Sequence, residues 1–178
     1  LSARATARPS LSPTPLRVRP LSADEAAQIA HWRYPPPYHI YDSAPPDASP
    51  KVLVEIAAYY LEPAHDYFGV EDETGDFLGF GCFGVEAHVP GYDYTQEDAL
   101  DIGFGMRPEY TGQGRGSHFL AAILRHAQTR QPSLLRATVA AFNERSARTF
   151  RRAGFVRVAS FRSRTSQPLD FAVYTRRA

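Results

Sequence analysis

Residues 101–117 read Asp-Ile-Gly-Phe-Gly-Met-Arg-Pro-Glu-Tyr-Thr-Gly-Gln-Gly-Arg-Gly-Ser. An apolar run breaks at Arg107-Pro108, and Gly112, Gly114 and Gly116 follow at single-residue spacing. Phe119, Leu120, Ile123, Leu124 and Ala127 then recur with a helical period. Glycines let the main chain approach a ligand closely. The first turn of a helix offers unpaired N–H groups and the positive end of its dipole. Strand, glycine turn and helix start, in that order, therefore make a cradle for an anion such as a phosphate. Two phosphate loops are excluded on spacing. A dinucleotide fingerprint counted from Gly112 needs glycine where Ser117 stands, and a triphosphate loop needs Gly-Lys-Ser/Thr, whereas Lys51 is the only lysine.

A second constellation lies further on. Asn143-Glu144-Arg145-Ser146-Ala147-Arg148-Thr149-Phe150-Arg151-Arg152-Ala153-Gly154-Phe155 reads as an N-cap, a short helix and a glycine stop. The two segments together resemble the two signatures of the GNAT superfamily of acyl-CoA-dependent N-acyltransferases. Thr111-Gly112-Gln113-Gly114-Arg115-Gly116 stands for the first, with Thr111 where the family usually has Arg or Gln. Asn143 to Phe155 stands for the second.

The resemblance implies acetyl-CoA as co-substrate and an enzyme that acetylates an amine. Its donor site would comprise Phe104, Gly105 and Met106 against the pantetheine arm. Thr111, Gly112, Gln113, Gly114, Arg115, Gly116 and Ser117 would surround the pyrophosphate, and Asn143, Ser146 and Phe150 would complete the wall. Arg115, Arg148, Arg151 or Arg152 would meet the 3′-phosphate, because arginine pairs well with phosphate. Gly103 and Gly105 suggest a bulge or a close backbone approach in that strand. The family's base is often a carboxylate on the strand before the cradle, which makes Asp101 the first candidate and Asp98 and Glu86 its rivals. The family usually has Tyr where Phe150 stands, to protonate the departing thiolate. Phe150 has no proton to give, leaving Tyr174, Tyr41, His118 or water.

Charge is segregated. Residues 21–106 carry 16 Asp and Glu against Arg33 and Lys51, a net −14, while residues 107–178 carry three acids against 14 arginines, a net +11. A basic half suits an anionic donor and an acidic half a cationic acceptor. Asp42, Asp47, Tyr92, Asp93, Tyr94, Glu97 and Asp98 place acids and tyrosines on expected loops of the first half. The acceptor is thus expected to be a cationic small-molecule amine or a peptide N-terminus. Trp32 precedes a proline-rich stretch, residues 34–50, that contains Tyr34, Tyr38 and Tyr41. They either wall the acceptor pocket or pack a rigid loop onto the core.

The elements that would position these groups follow from pattern. A strand is expected at 16–19. Ser22 and Glu25 form a capping box for a helix to residue 31. A helix spans 52–61, and a hairpin pairs 66–72 with 77–86. Strand 100–106 leads into helix 117–129. Strand 134–140, helix 144–153 and a hairpin of 155–161 with 169–175 complete the order. This order gives one α/β domain, residues 16–178, and resembles the GNAT fold, which implies a mixed twisted sheet of about seven strands with helices on both faces. Residues 1–15 are rich in proline and serine, lack an acid, and read as a disordered tail. The single Cys82 reads as a buried packing residue in a reducing, cytoplasmic setting. No apolar run approaches the ~20 residues of a membrane helix. The six histidines show no metal spacing, so no metal is expected. The arginines lack interleaved exposed aromatics and the overall charge is near neutral, so no nucleic-acid partner is expected either. A homodimer is compatible with this reading, and a non-catalytic acyl-CoA-binding domain on the same scaffold is the alternative.

Overall fold

The computed structural model describes residues 14–178. The tail expected over residues 1–15 falls almost wholly outside that range. Seven strands form one sheet: β1 (Arg17–Arg19), β2 (Tyr67–Glu71), β3 (Phe77–Phe83), β4 (Leu100–Met106), β5 (Leu134–Ala140), β6 (Val156–Arg162) and β7 (Asp170–Arg177). Their order is β1-β2-β3-β4-β5-β7-β6. Four α-helices accompany them: α1 (Ala23–His31), α2 (Pro50–Leu61), α3 (Gly116–Ala127) and α4 (Glu144–Arg152).

The apolar stripe of α3 explains one layer. Phe119, Leu120 and Ile123 are fully buried against Leu78, Ile102, Leu135 and Val139 of the sheet, with Ala147 and Phe150 of α4 beside them. Burying each large side chain stabilises by roughly 1.5–3 kcal/mol. A smaller cluster of Ile29, Trp32 and Phe77, with Tyr60 and Phe80 packed on it, holds α1 and α2 to the sheet. The capping box forms as its sequence dictates. Ser22 Oγ accepts from Glu25 N–H, and the Glu25 carboxylate accepts from Ser22 N–H. That carboxylate also pairs with Arg19 of β1, tying the first strand to the first helix.

β4 and β5 run parallel and register only at Leu100↔Leu135 and Asp101↔Arg136. Past that point the strands part while β4 continues to Met106 and β5 to Ala140. Arg136 clamps the closed end: its Nε and Nη2 donate to Asp101 Oδ1 and Oδ2 at 2.7 and 2.8 Å. The two side chains are 2% and 6% exposed.

Two boundaries and one strand feature differ from expectation for local reasons. β3 stops at Phe83, because Gly84 takes a φ of +70° and turns the chain into a 3-10 turn, Gly84–Ala87. Helix α2 begins at Pro50, since Ser49 accepts from Val52 N–H and proline suits the first turn. β4 pairs evenly with β3 and has no bulge. Its glycines instead admit neighbours: a Cβ on Gly105 would lie 2.6 Å from the Phe80 ring. Among the described residues no helix is long and apolar enough to cross a membrane.

The clamp can be tested by removing one partner. Arg136→Met leaves a buried, uncompensated carboxylate, a change that costs about 3–5 kcal/mol. Urea unfolding is expected to show that loss, and a loss under about 1 kcal/mol would contradict the clamp.

Candidate active site

The glycine turn is built as a donor array. A 3-10 turn, Pro108–Tyr110, follows β4, and Thr111 Oγ1 donates back to Pro108 O at 2.8 Å. Gly112 and Gly114 then take φ of +74° and +76°, left-handed values open to glycine and costly for other residues. Helix α3 starts at Gly116 with no side-chain cap. The N–H groups of Gly112, Gly114 and Gly116 meet no acceptor among the described residues. All three glycines line one cleft, at the positive end of the α3 dipole. Gln113 turns away, its amide donating to Glu109 O at 2.5 Å.

In front of this array the parted strands leave a cleft of about 430 Å³. Residues 102–106 of β4 form one wall, Thr138 and Val139 of β5 another, and Asn143, Ser146, Thr149 and Phe150 a third. Hydrogen bonds alternate along a strand. Arg107 N–H pairs toward β3, on Leu78 O, so Phe104 and Met106 present their main-chain groups to the cleft. Tyr34 Oη donates to Met106 O at 2.7 Å from that open side. Four arginines line the cleft, Arg115, Arg145, Arg148 and Arg152, and no carboxylate does. Arg145 Nη1 lies 3.0 Å from where a Cβ on Gly112 would stand. Its guanidinium covers the Tyr38 ring at 3.9 Å. Asn143 caps α4, accepting from Ser146 N–H, and donates to Tyr41 Oη at 3.1 Å.

The opposite face of β4 carries the ionisable groups. Asp101 is 4% exposed and accepts from Arg136 and from His88 Nε2, the latter at 2.9 Å. Those bonds hold the Arg136 guanidinium firmly cationic. His88 stacks on Tyr94, centroids 3.7 Å apart and planes within 6°. Tyr94 Oη accepts from Val89 N–H and shares a hydrogen bond with Thr138 Oγ1, each at 2.9 Å. Burial raises the Tyr94 phenol above its usual range, so it stays protonated. Glu86 Oε2 accepts from Tyr59 and Tyr67 hydroxyls at 2.7 and 3.1 Å. Asp98 is exposed on the connection before β4.

Residues 16–156 match the acetyltransferase (GNAT) domain. The chain belongs to the GNAT acetyltransferase family. Solved structures agree in fold. A GNAT-family acetyltransferase from Bacillus anthracis superposes with a TM-score of 0.69 at 16% identity, covering 93% of this chain and 96% of that one. A mutant spermidine/spermine N-acetyltransferase from Vibrio cholerae gives 0.62 at 17% identity, covering 91% and 94%. A Salmonella typhimurium protein solved with its cofactor acetyl-CoA gives 0.61 at 17% identity, covering 91% and 93%. No curated protein matches the sequence.

GNAT acetyltransferases use acetyl-CoA, and the cleft fits it on this chain's own geometry: unpaired N–H donors, lining arginines and an open strand edge. Of the expected donor residues, all but Gln113 line the cleft. Arg151 does not reach it and pairs with Glu144 instead. Arg145 was not foreseen, because only the packing of α4 brings it over Gly112. Tyr34, Tyr38 and Tyr41 line the cleft, whereas Trp32 is 8% exposed and stacks on Phe77 and Phe80. Trp32 is therefore a core residue and not a pocket wall. Asp101 is not free to take a proton directly, since both its oxygens are occupied in a buried ion pair. Tyr174 lines a separate small cavity beside α4, and His118 does not line the cleft.

Cys82 is no acyl carrier. It is 3% exposed, and burial pushes its thiol up to about 12. Native protein at about pH 8 is expected to resist a thiol reagent and denatured protein to react fully; rapid labelling of the native state would contradict this burial. Arg145→Ala is expected to weaken CoA binding about tenfold. Calorimetric titration with CoA measures it, and an unchanged affinity would remove Arg145 from the donor site.

Proposed function

We propose that residues 16–178 act as one catalytic domain that moves the acetyl group of acetyl-CoA to a primary amine on a cationic acceptor, a small molecule or a peptide N-terminus. The carrying observation is the set of unpaired N–H groups at Gly112, Gly114 and Gly116, facing an arginine-lined cleft beside the open edge of β4. In this reading those N–H groups hold the pyrophosphate and the β4 edge orients the pantetheine arm. Arg115, Arg145, Arg148 and Arg152 meet the remaining phosphate charge. Bound acetyl-CoA supplies an acyl carbon activated as a thioester.

The acceptor side is supported by charge. Glu86 is ringed by tyrosine hydroxyls, with Oε1 left to meet a cation, and its bond to Tyr59 pushes that phenol up to about 12. Asp93, Glu97 and Asp98 add exposed negative charge on the neighbouring connection. Spermidine N-acetyltransferases among the structural neighbours accord with an amine acceptor. Tyr34, Tyr38 and Tyr41 close the cleft from the α1 side and screen the thioester from water. The lone thiol accords with a reducing, cytoplasmic compartment.

Thiol release from acetyl-CoA across a panel of polyamines, peptide N-termini and acidic amino acids tests the reading. Turnover is expected with cationic amines alone and should fall with added salt, which screens the acidic face. Turnover confined to acidic acceptors would contradict the charge reading. CoA binding with no thiol release on any amine would favour a binding domain.

A further inference from the structure

We propose that His88 is the general base that takes the proton from the attacking amine, and that Asp101 and Tyr94 position it. The inference rests on the acyl-transfer reading above and assigns its base. His88 follows the Gly84–Ala87 turn, which packs on β4. The Ala87 Cβ lies 3.3 Å from where a Cβ on Gly103 would stand, and Gly103 lines the cleft. The turn thus packs on the stretch of β4 that borders the cleft, and the ring that follows it meets β4 at Asp101, on the acidic face.

Its tautomer follows from its partners. The ionised Asp101 carboxylate can only accept, so His88 Nε2 carries the hydrogen between them. Nδ1 then holds the free lone pair. It has no protein partner among the described residues, and it is not among the buried unpaired polar atoms, so it faces accessible space. The side chain is 28% exposed. Tyr94 fixes the ring by face-to-face stacking, and Tyr94 is itself anchored at both Val89 and Thr138. Thr138 lines the cleft, so one chain of contacts runs from the ring to the donor site. The charged and titratable groups facing the ring are Asp101 from β4, Tyr94 from the connection, and Arg136 of β5 through Asp101. Arg136 balances the charge on Asp101, so Asp101 offers the ring mainly an acceptor and an orientation. This is the arrangement of a base held by a third group.

Protons balance as follows. The acceptor enters as an ammonium and gives one proton to Nδ1, which later returns it to solvent. The amine lone pair forms the C–N bond as the C–S bond breaks and the thiolate leaves with its electron pair. The nitrogen's second proton goes to the thiolate, through the Tyr94 and Thr138 hydroxyls or through water.

The test compares wild type with His88→Gln, using the fastest cationic acceptor, across pH. General-base catalysis contributes about 100-fold or more. H88Q is expected to lose that much in kcat/KM and to lose the acidic limb of the profile. CoA affinity and thermal melting are expected to stay at the wild-type level, which reports an intact fold. Added imidazole is expected to restore part of the rate to His88→Gly. H88Q activity within threefold of wild type, a retained acidic limb, or no imidazole rescue would each overturn the assignment while leaving acyl transfer standing. A wild type that acetylates no amine would overturn both.

Discussion

Two neighbouring parallel strands must share a hydrogen-bonding edge or leave one open, and β4 and β5 do each in turn. They pair at Leu100↔Leu135 and Asp101↔Arg136 and then diverge. The divergence leaves backbone groups of residues 102–106 without a strand partner on one side. Buried backbone polar groups need partners, so an open edge inside a domain is a place for an extended ligand. The bidentate Arg136–Asp101 pair marks where pairing ends. A buried ion pair is a poor source of net stability, because desolvation offsets most of its attraction. Its value here is positional: it holds the closed end of the V and orients His88.

Strand β4 separates a basic cleft from an acidic face. The side facing α3 and α4 has four arginines and an array of N–H donors; the other has Glu86, His88 and the acidic connection. The segregation seen along the chain is therefore also a segregation in space. It follows from connectivity: the helices after β4 and β5 bring the basic second half to the cradle, while the first half supplies α1, α2 and the loops that cover the opposite face. In the proposed reading, a polyanionic donor and a cationic acceptor would each approach through a field of complementary sign.

Local features were legible in the sequence and distant pairings were not. The cradle, the Ser22–Glu25 capping box and the Asn143 cap are fixed by residues within a few positions of one another, so their types and spacing suffice. The glycine stop at Gly154 is read the same way. The end of β3 at Gly84 was missed because alternation of side chains runs on past it, and only the backbone turn decides. Trp32 was misplaced because aromatics beside a proline-rich loop look alike whether they face a core or a cleft; stacking on Phe77 and Phe80 settles it. The ion pair of Asp101, the first candidate base, is not legible because nothing in its neighbourhood along the chain announces Arg136 or His88. Those contacts exist only once β5 lies beside β4 and the Gly84 turn folds back. The place of Arg145 over Gly112 and the stacking of Tyr94 on His88 are hidden for the same reason.

In the proposed reading the N–H groups of the glycine turn, at the mouth of the parted strands, hold the phosphates of the donor. Amide NMR spectra recorded during a titration with CoA test this. The largest shifts are expected on Gly112, Gly114 and Gly116 and on residues 102–106. Saturating binding that leaves those amides unmoved would contradict it.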